Sequence, residues 1–473
     1  MERAQKLVLS AGSIASAVGG RLVAGDGERT IDGFSIDTRT LAPGDLFFAI
    51  RGERLDGHAF VADAIRRGAC GAIISDRAAI SSAEDRGSSG VFILVGDTIE
   101  ALQTLGRYVR RASGAAVVAV TGSAGKSTTK EITAELLSAR YRVFRNRGNL
   151  NNHIGLPLSL LELRAGPEVA VVEFGMSHAG EIHTLVGLAE PQVRVWTNVG
   201  PTHLEFFTTV DAVADAKAEI FDGAGATNVL VANADDERVM ARTPRFSGRV
   251  VTFGITHAAD VRASDLSDHG IDGMLATIRT PRGAAQVRTP LLGQGNLANL
   301  LAATAVADHF EVPLTDVVER AANLRAVPHR GEVVRLAGGI ALIDDSYNSN
   351  PAALAGALAI LCGEQRFTRR VGVLGEMLEI GGRTEALHAT CGREAAASGL
   401  NLLVAVGGAP ARALAHAAVV AGMPATAVSC VATSDEAADL AASLIKRGDL
   451  VLIKGSRGVH TEIVVDRLKA EFA

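Results

Sequence analysis

The stretch VVAVTGSAGKSTTK at residues 117–130 constrains this chain more than any other. A short apolar run passes into a glycine loop, and Lys126 and Ser127 open what the pattern predicts to be a helix. Gly122 and Gly125 permit a turn tight enough to bring backbone N–H groups against phosphate oxygens, and the positive end of the following helix faces the same anion. Lys126 adds a point charge, and the Ser127 hydroxyl can ligate Mg²⁺. The loop of Gly122, Ser123, Ala124, Gly125, Lys126, Ser127 and Thr128 is therefore the expected seat of a nucleoside triphosphate. Its spacing is short: GxxxxGK[ST] would put a glycine at Val120, and the loop reads GSAGKS. The plainer alternative is an ordinary glycine turn; GKST after an apolar run favours phosphate.

At 473 residues the chain exceeds one compact core and is expected to be modular. With 48% hydrophobic residues, 21% charged and 51 glycines, it belongs to folded α/β proteins rich in tight turns, not to disordered chains. A net charge of −5 gives no basic footprint for a nucleic-acid backbone. Cys70, Cys362, Cys391 and Cys430 are widely spaced with no CxxC pair, which excludes a zinc knuckle and a disulfide framework and predicts buried reduced thiols. The opening KLVLSAGSIASAVGG is broken by Ser10, Ser13 and Ser16 and runs on into RLVAGDG, unlike a secretory signal. No run of 18 apolar residues predicts a membrane span, so a cytoplasmic enzyme is the expectation.

Three modules are expected, at residues 1–112, 113–327 and 328–473. In the first, a strand at 7–9 leads to Ser10 as N-cap, a helix with Ile14 and Val18 on one face, and a stop at Gly19-Gly20. Two apolar strands, the second at 45–50, bracket a Pro-Gly turn, and Ser35, Asp37, Thr38 and Arg39 gather at the end of the first. That cluster could grip a ligand's polar edges; read alone, it is better a turn closed by its own hydrogen bonds. Strands at 72–75 and 91–95 follow, with a serine-rich loop at 81–89 between them.

In the second module, apolar runs at 117–120, 169–172, 193–197, 229–231 and 250–253 alternate with helical stretches, the signature of a doubly wound, mostly parallel sheet. Ligands of such sheets bind beyond the carboxyl ends of the strands, where Glu173, Asn198 and His203 fall. Glu173 suits a magnesium ion, which takes few carboxylates alongside substrate phosphates; a solvated acid and a packed or surface histidine are the bland alternatives. Asn149, Asn151 and Asn152 could read a ligand or cap a helix, with nothing to choose between the two. Residues 256–290 predict an antiparallel excursion containing a hairpin. A helix follows with Asn296 and Asn299 at its start, burying Leu297, Leu300 and Leu301 on one face.

AVPHRGE at 326–332 reads as the second boundary, with Arg330 as a cation carried between domains. Beyond it, strands at 341–343, 371–374, 402–406 and 450–453 and a helix opening on Pro351 repeat the α/β pattern. Their ends carry Asp344, Asp345, Glu376, Lys454, Ser456 and Arg457. Charged loops on two modules imply a cleft that closes on ligand.

The set DTRTLAPGDLFFAIRGERLDGHAF, TGSAGKSTTKE, NLNNHIGLPLSL, VEFGMSHAGEI, TNVGPTHLEFF, DDSYNSNP, LGEMLEIG and KGSR resembles the Mur ligases, ATP-dependent peptide synthetases of cell-wall precursor assembly. Within that family, DDSYNSNP and LGEMLEIG resemble the member adding D-alanyl-D-alanine to UDP-N-acetylmuramoyl-tripeptide. The motifs DYAH and DNPR of the sister that adds the third, diamino residue are missing. The resemblance implies phosphorylation of the tripeptide's terminal carboxylate by ATP, then attack of the dipeptide amine on the acyl phosphate. It implies Lys126 on the β/γ-phosphates, and Ser127, Glu173 and His203 as Mg²⁺ ligands. Lys217 would be the family's carbamylated lysine, although by sequence alone it reads as an ordinary helix-face lysine. Asn296 would contact adenine, Arg330 the phosphates and Asp345 the ribose. Ser35, Asp37, Thr38, Arg39, Asn149 and Asn152 would serve the UDP-sugar, and Asn348, Asn350, Lys454 and Ser456 the dipeptide. Departures from the pattern are Gly295 for a histidine, His329 for a glycine, and KAEI for KGEI. A monomer is expected. The rival readings are the sister ligase and, from another class, a nucleotide-binding switch without acyl chemistry.

Overall fold

Runs of Val, Ile, Leu and Ala become strands here because a parallel sheet covered on both faces buries every position along them. The computed structural model describes residues 6–52, 54–80 and 90–473; the loop expected at 81–89 lies outside them. The chain has a three-domain α/β fold with mixed, mostly parallel sheets. By contacts it divides into two units, residues 1–119 with 141–192 and residues 120–140 with 193–473.

The first unit holds β1 (Arg21–Ala24), β2 (Gly33–Ser35), β3 (Asp45–Phe48), β4 (Gly71–Ile74) and β5 (Val91–Leu94), in the order β1-β5-β4-β3-β2. Only the β1–β5 pair is antiparallel. Its core gathers Phe47, Ala49, Val61, Ile74 and Phe92. Ser10 caps the helix Ala11–Ala17 in a reciprocal box with Ser13, and Gly19 (φ 63°) turns the chain away. The strand expected at 7–9 does not form: Ser10 makes one isolated bridge to Thr30, too little for a ladder. Val18 is the half-buried C-cap of that helix, not part of its buried face. β6 (Ala116–Thr121) starts in this unit, and β7 (Val143–Arg145) pairs in parallel with β8 (Val169–Glu173), which is buried at all five positions.

In the second unit β9 (Val193–Trp196), β10 (Val229–Asn233) and β11 (Arg249–Gly254) run parallel, with Leu230 opposite Arg194 and Val250. The antiparallel excursion is present as β12 (Val261–Asp268), β13 (Met274–Thr280) and β14 (Gly283–Thr289), one strand more than the expected hairpin. Helix Gly293–His309 buries Leu297, Leu300 and Leu301 and also Ala302, Ala303 and Thr304, so it is a core helix and not a one-faced one. The last sheet runs β15 (Glu332–Arg335), β16 (Ala341–Asp345), β20 (Asp449–Lys454), β17 (Arg369–Gly375), β18 (Leu402–Val406), β19 (Val428–Val431) in spatial order, with apolar clusters on both faces and only β15 antiparallel. Cys70 and Cys391 are buried; Cys362 and Cys430 are exposed, contrary to the expectation of four buried thiols, because Cys362 lies on an outward position of helix Pro351–Gly363 and Cys430 on the edge strand β19. Among the described residues no helix is long and apolar enough to cross a membrane.

Candidate active site

The glycine loop leaves the end of β6 and enters helix Lys126–Leu137, as the sequence predicts. Gly122 holds φ 148° and Gly125 φ 80°. A Cβ at Gly122 would lie 1.9 Å from Thr197 Oγ1, and one at Gly125 2.3 Å from Asn299 Oδ1. Both glycines are thus required twice over, by dihedral and by space.

Neighbouring strand and helix ends brace this loop. The Thr197 hydroxyl donates to Ala124 O (2.7 Å), and Asn198 both accepts from Ala124 N (2.8 Å) and donates to Ala124 O (3.1 Å). Ser123 N donates to Asn198 O (3.0 Å), while the Ser123 hydroxyl accepts from Gly200 N (2.9 Å). The Ser123 and Ala124 amides are therefore engaged by Asn198. On the helix side, Thr129 donates to Asn299 Oδ1 (3.2 Å), Asn299 donates to Asn296, and Asn296 donates to Leu292 O (2.9 Å). The Lys126 ammonium folds back onto Gly122 O (2.9 Å), and Ser127 and Thr128 are buried.

Lys217 is not the surface residue its sequence suggests. It is 1% exposed at the end of helix Val210–Ala218, and burial, with the nearby Lys126 charge second, drives its amine well below the usual lysine range. Burial thus disfavours the charged form of this amine. Glu173, at the end of β8, is 3% exposed; its carboxylate accepts from Asn151 Nδ2 (2.8 Å) and its N–H donates to Asn146 Oδ1 (3.1 Å). The amide-rich segment thus holds an acid, and Asn152 Oδ1 accepts from Ile154 N and Gly155 N (3.2 and 2.8 Å) at the entry to helix Gly155–Leu160, while Asn149 is exposed. His203 adopts a left-handed backbone (φ 57°), and its Nδ1 meets Glu379 Oε2 at 2.8 Å. That hydrogen bond holds the Glu379 carboxyl below its usual range. Glu379 carries no sequence signal of this role.

Around Ser35 the cluster closes on itself: Ser35 donates to Asp37 O (3.0 Å), Arg39 N to Asp37 Oδ1 (2.9 Å) and Arg39 Nη2 to Asp37 Oδ2 (2.6 Å), with Thr38 half-buried. The Arg39 hydrogen bond lowers the Asp37 pKa. At the strand ends of the last sheet, Lys454 is 2% exposed and donates to Asp345 Oδ2 (2.6 Å) and Asn348 O (2.9 Å). Ser456 accepts from Leu378 N (3.0 Å), and Asn350 caps helix Pro351–Gly363 through Ala353 N (2.9 Å). Arg330 lies over the Tyr347 ring, 4.0 Å from its centroid, a partner the sequence reading did not single out.

The loop fits a nucleotide: two glycines leave a backbone cradle that any side chain would fill, and the buried Ser127 hydroxyl is an oxygen donor of the kind Mg²⁺ takes. Glu173, in the first unit, is by itself an oriented buried carboxylate. Among the described residues no three His, Cys, Asp or Glu side chains gather into a cage.

A braced phosphate loop in a three-domain α/β chain defines a nucleotide-dependent ligase scaffold, and the chain belongs to the Mur ligase family. The family descriptions that match are the Mur ligase middle domain at residues 120–307, the glutamate ligase domain at 329–457 and the family catalytic domain at 30–143. It is 33% identical over 461 residues to the UDP-N-acetylmuramoyl-tripeptide–D-alanyl-D-alanine ligase of Bacillus subtilis (strain 168), covering 96% of this chain and 97% of the relative. The crystal structure of MurF from Acinetobacter baumannii superposes with a TM-score of 0.86 at 30% identity, covering 98% of this chain and 99% of that one. MurF ligase from Thermotoga maritima in complex with ADP superposes with a TM-score of 0.78 at 29% identity, covering 93% and 97%.

Proposed function

We propose that the chain is an ATP-dependent ligase joining D-alanyl-D-alanine to UDP-N-acetylmuramoyl-tripeptide through an acyl phosphate, in peptidoglycan precursor synthesis. The observation that carries the reading is the phosphate loop braced by Thr197, Asn198 and Asn299, in a chain alike over nearly its whole length to a relative bearing that activity in its name. A carboxylate oxygen of the tripeptide attacks the γ-phosphorus and ADP leaves. The dipeptide amine then attacks the acyl carbon, loses its proton, and inorganic phosphate departs from the tetrahedral intermediate. Both steps depend on positioning and on fixed charge more than on covalent help from the protein.

In this reading Lys126 leaves Gly122 O for the β/γ-phosphates, Arg330 approaches the same groups, and loop 122–128 wraps them. Ser127, Glu173 and His203 hold Mg²⁺, which when bound neutralises phosphate charge. Lys217 adds CO₂ through its amine, forming an N–C bond and releasing a proton; the resulting carbamate places a negative charge near Lys126. Asn296 contacts adenine and Asp345 the ribose. Ser35, Asp37, Thr38, Arg39, Asn149 and Asn152 face the UDP-sugar. Asn348 and Asn350 serve the dipeptide, with Lys454 and Ser456 supporting them from below. The modules 1–112, 113–327 and 328–473 then take UDP-sugar, ATP and dipeptide in a monomeric cytoplasmic enzyme.

Phosphate release measured with purified protein is expected only when ATP, Mg²⁺, UDP-muramoyl-tripeptide and D-Ala-D-Ala are all present. Strong turnover with single amino acids replacing the dipeptide would overturn the reading. ATP hydrolysis indifferent to peptide would point to a switch.

A further inference from the structure

Two guanidiniums share one aromatic ring in the last module. The Arg330 Cζ lies 4.0 Å and the Arg457 Cζ 5.1 Å from the centroid of Tyr347. Arg330 sits on a segment pinned to β16: Gly331 N donates to Asp344 O (2.9 Å), Tyr347 N donates to His329 O (3.0 Å), and His329 Nδ1 meets Asp344 Oδ2 (2.9 Å). His329 holds a left-handed φ of 62° there. The residue standing where the family has glycine thus keeps the glycine-like backbone and adds a side-chain anchor to a fully buried acid. Arg457 opens the turn Arg457–Val459 just beyond β20.

The other charges nearby are matched. Lys454 has Asp345, and His329 has Asp344. Among the described residues neither Arg330 nor Arg457 lies within ion-pair distance of a carboxylate, and each lies over the Tyr347 ring; the nearby Asp345 carboxylate feels the Arg330 charge but is already bound by Lys454. Two like charges over one ring repel each other, and the ring's negative face only partly offsets that. Such a pair is stabilised by an anion, and it stands at the carboxyl ends of parallel strands, where ligands of open α/β sheets bind.

We propose that Tyr347 is the seat that positions Arg330, and that Arg457 is a second arginine for the phosphate chain of the nucleotide. The proposal rests on the reading of Arg330 as a phosphate-facing residue. Tyr347 is a positioning residue: it acts through Arg330 and has no contact with the reacting atoms to supply.

The test uses the full chain, with calorimetric binding of AMP and of a non-hydrolysable ATP analogue beside steady-state kinetics. Tyr347→Ala and Arg457→Ala are each expected to weaken the ATP analogue and raise KM for ATP by roughly 3- to 30-fold, with AMP affinity and KM for the dipeptide within about twofold. Tyr347→Phe restores ATP binding, since the ring and not the hydroxyl seats the cation. Adding Tyr347→Ala to Arg330→Ala costs nothing further. Additive losses in that pair, or no loss in Tyr347→Ala, overturn the role of Tyr347. A loss in Arg457→Ala confined to the dipeptide KM overturns the role of Arg457 and assigns it to the dipeptide carboxylate. An Arg330→Ala protein that binds the analogue as the parent does overturns the phosphate reading of Arg330 itself.

Discussion

The phosphate loop and the strand ends of the last sheet are both ligand-facing edges of α/β architecture, and they are held by opposite means. The loop is braced by neutral groups: the Thr197 hydroxyl and the Asn198 amide act on its backbone atoms, and the Asn299 amide accepts from the Thr129 hydroxyl on the following helix. The last module is braced by charge: Lys454 on Asp345 at the carboxyl ends of its strands, and Arg369 on Asp449 and Arg366 on Glu364 toward their amino ends. Neutral bracing keeps a cradle's shape whatever the pH and leaves its field to one lysine. Charged bracing gives long side chains fixed positions but ties them to protonation.

Breaking the loop's one charge should have the largest effect. Lys126→Ala is expected to lower kcat about a thousandfold, the scale seen when a transition-state charge is removed, with the melting temperature little changed; an unaffected rate removes Lys126 from the mechanism. Acid tests the charged bracing. Glu364 is held at about 2 by hydrogen bonds from Arg366, opposed by burial and helped by backbone N–H groups. A depressed carboxyl stabilises the fold above its unfolded pKa, so its contribution is complete above about pH 4.5 and is lost as pH falls toward 2. Glu364→Gln should flatten that part of a denaturation profile by about 1 kcal/mol, the shift being discounted because its main partner Arg366 is solvent-exposed. An unchanged acid limb would put the acid sensitivity elsewhere.

Smaller than the Lys126 effect is Lys217→Ala, expected to slow turnover roughly a hundredfold and to regain part of it with an added short carboxylate, on the electrostatic scale of a lost fixed charge; no rescue would reject the carbamate. Least of the kinetic effects is Asn198→Ala, expected to raise KM for ATP about tenfold, the cost of a part-buried donor and acceptor on Ala124 left unpaired. A kcat loss without a KM change would show that Asn198 does more than brace the loop.

The same contrast explains what the sequence revealed. Glycines at a strand-to-helix turn act through backbone geometry, and backbone requirements are written locally, so Gly122 and Gly125 were legible. So were the strands buried on both faces, whose apolar runs have no other use. β15 and β19 were missed because they are half-exposed edges, EVVR and VSCV, with too few apolar positions to mark a period. Lys217 reads as exposed among alanines; only tertiary packing buries it. The seat of Arg330 on Tyr347 and of His203 on Glu379 joins residues 17 and 176 positions apart by side chain alone, a pairing that no local pattern carries. Asn149 to Asn152 had two readings of equal weight; in the structure Asn152 Oδ1 accepts from Gly155 N at the helix entry, and Asn151 donates to the Glu173 carboxylate.

A lysine buried beside another lysine has a consequence for handling. Carbamates form and decay with dissolved CO₂, so a carbamate on Lys217, as proposed, would borrow the site's working charge pattern from inorganic carbon in its surroundings. Protein purified in degassed, acidic buffer would start slowly and quicken on bicarbonate, and specific activities from different preparations would disagree for a reason no sequencing or mass check of denatured protein reveals.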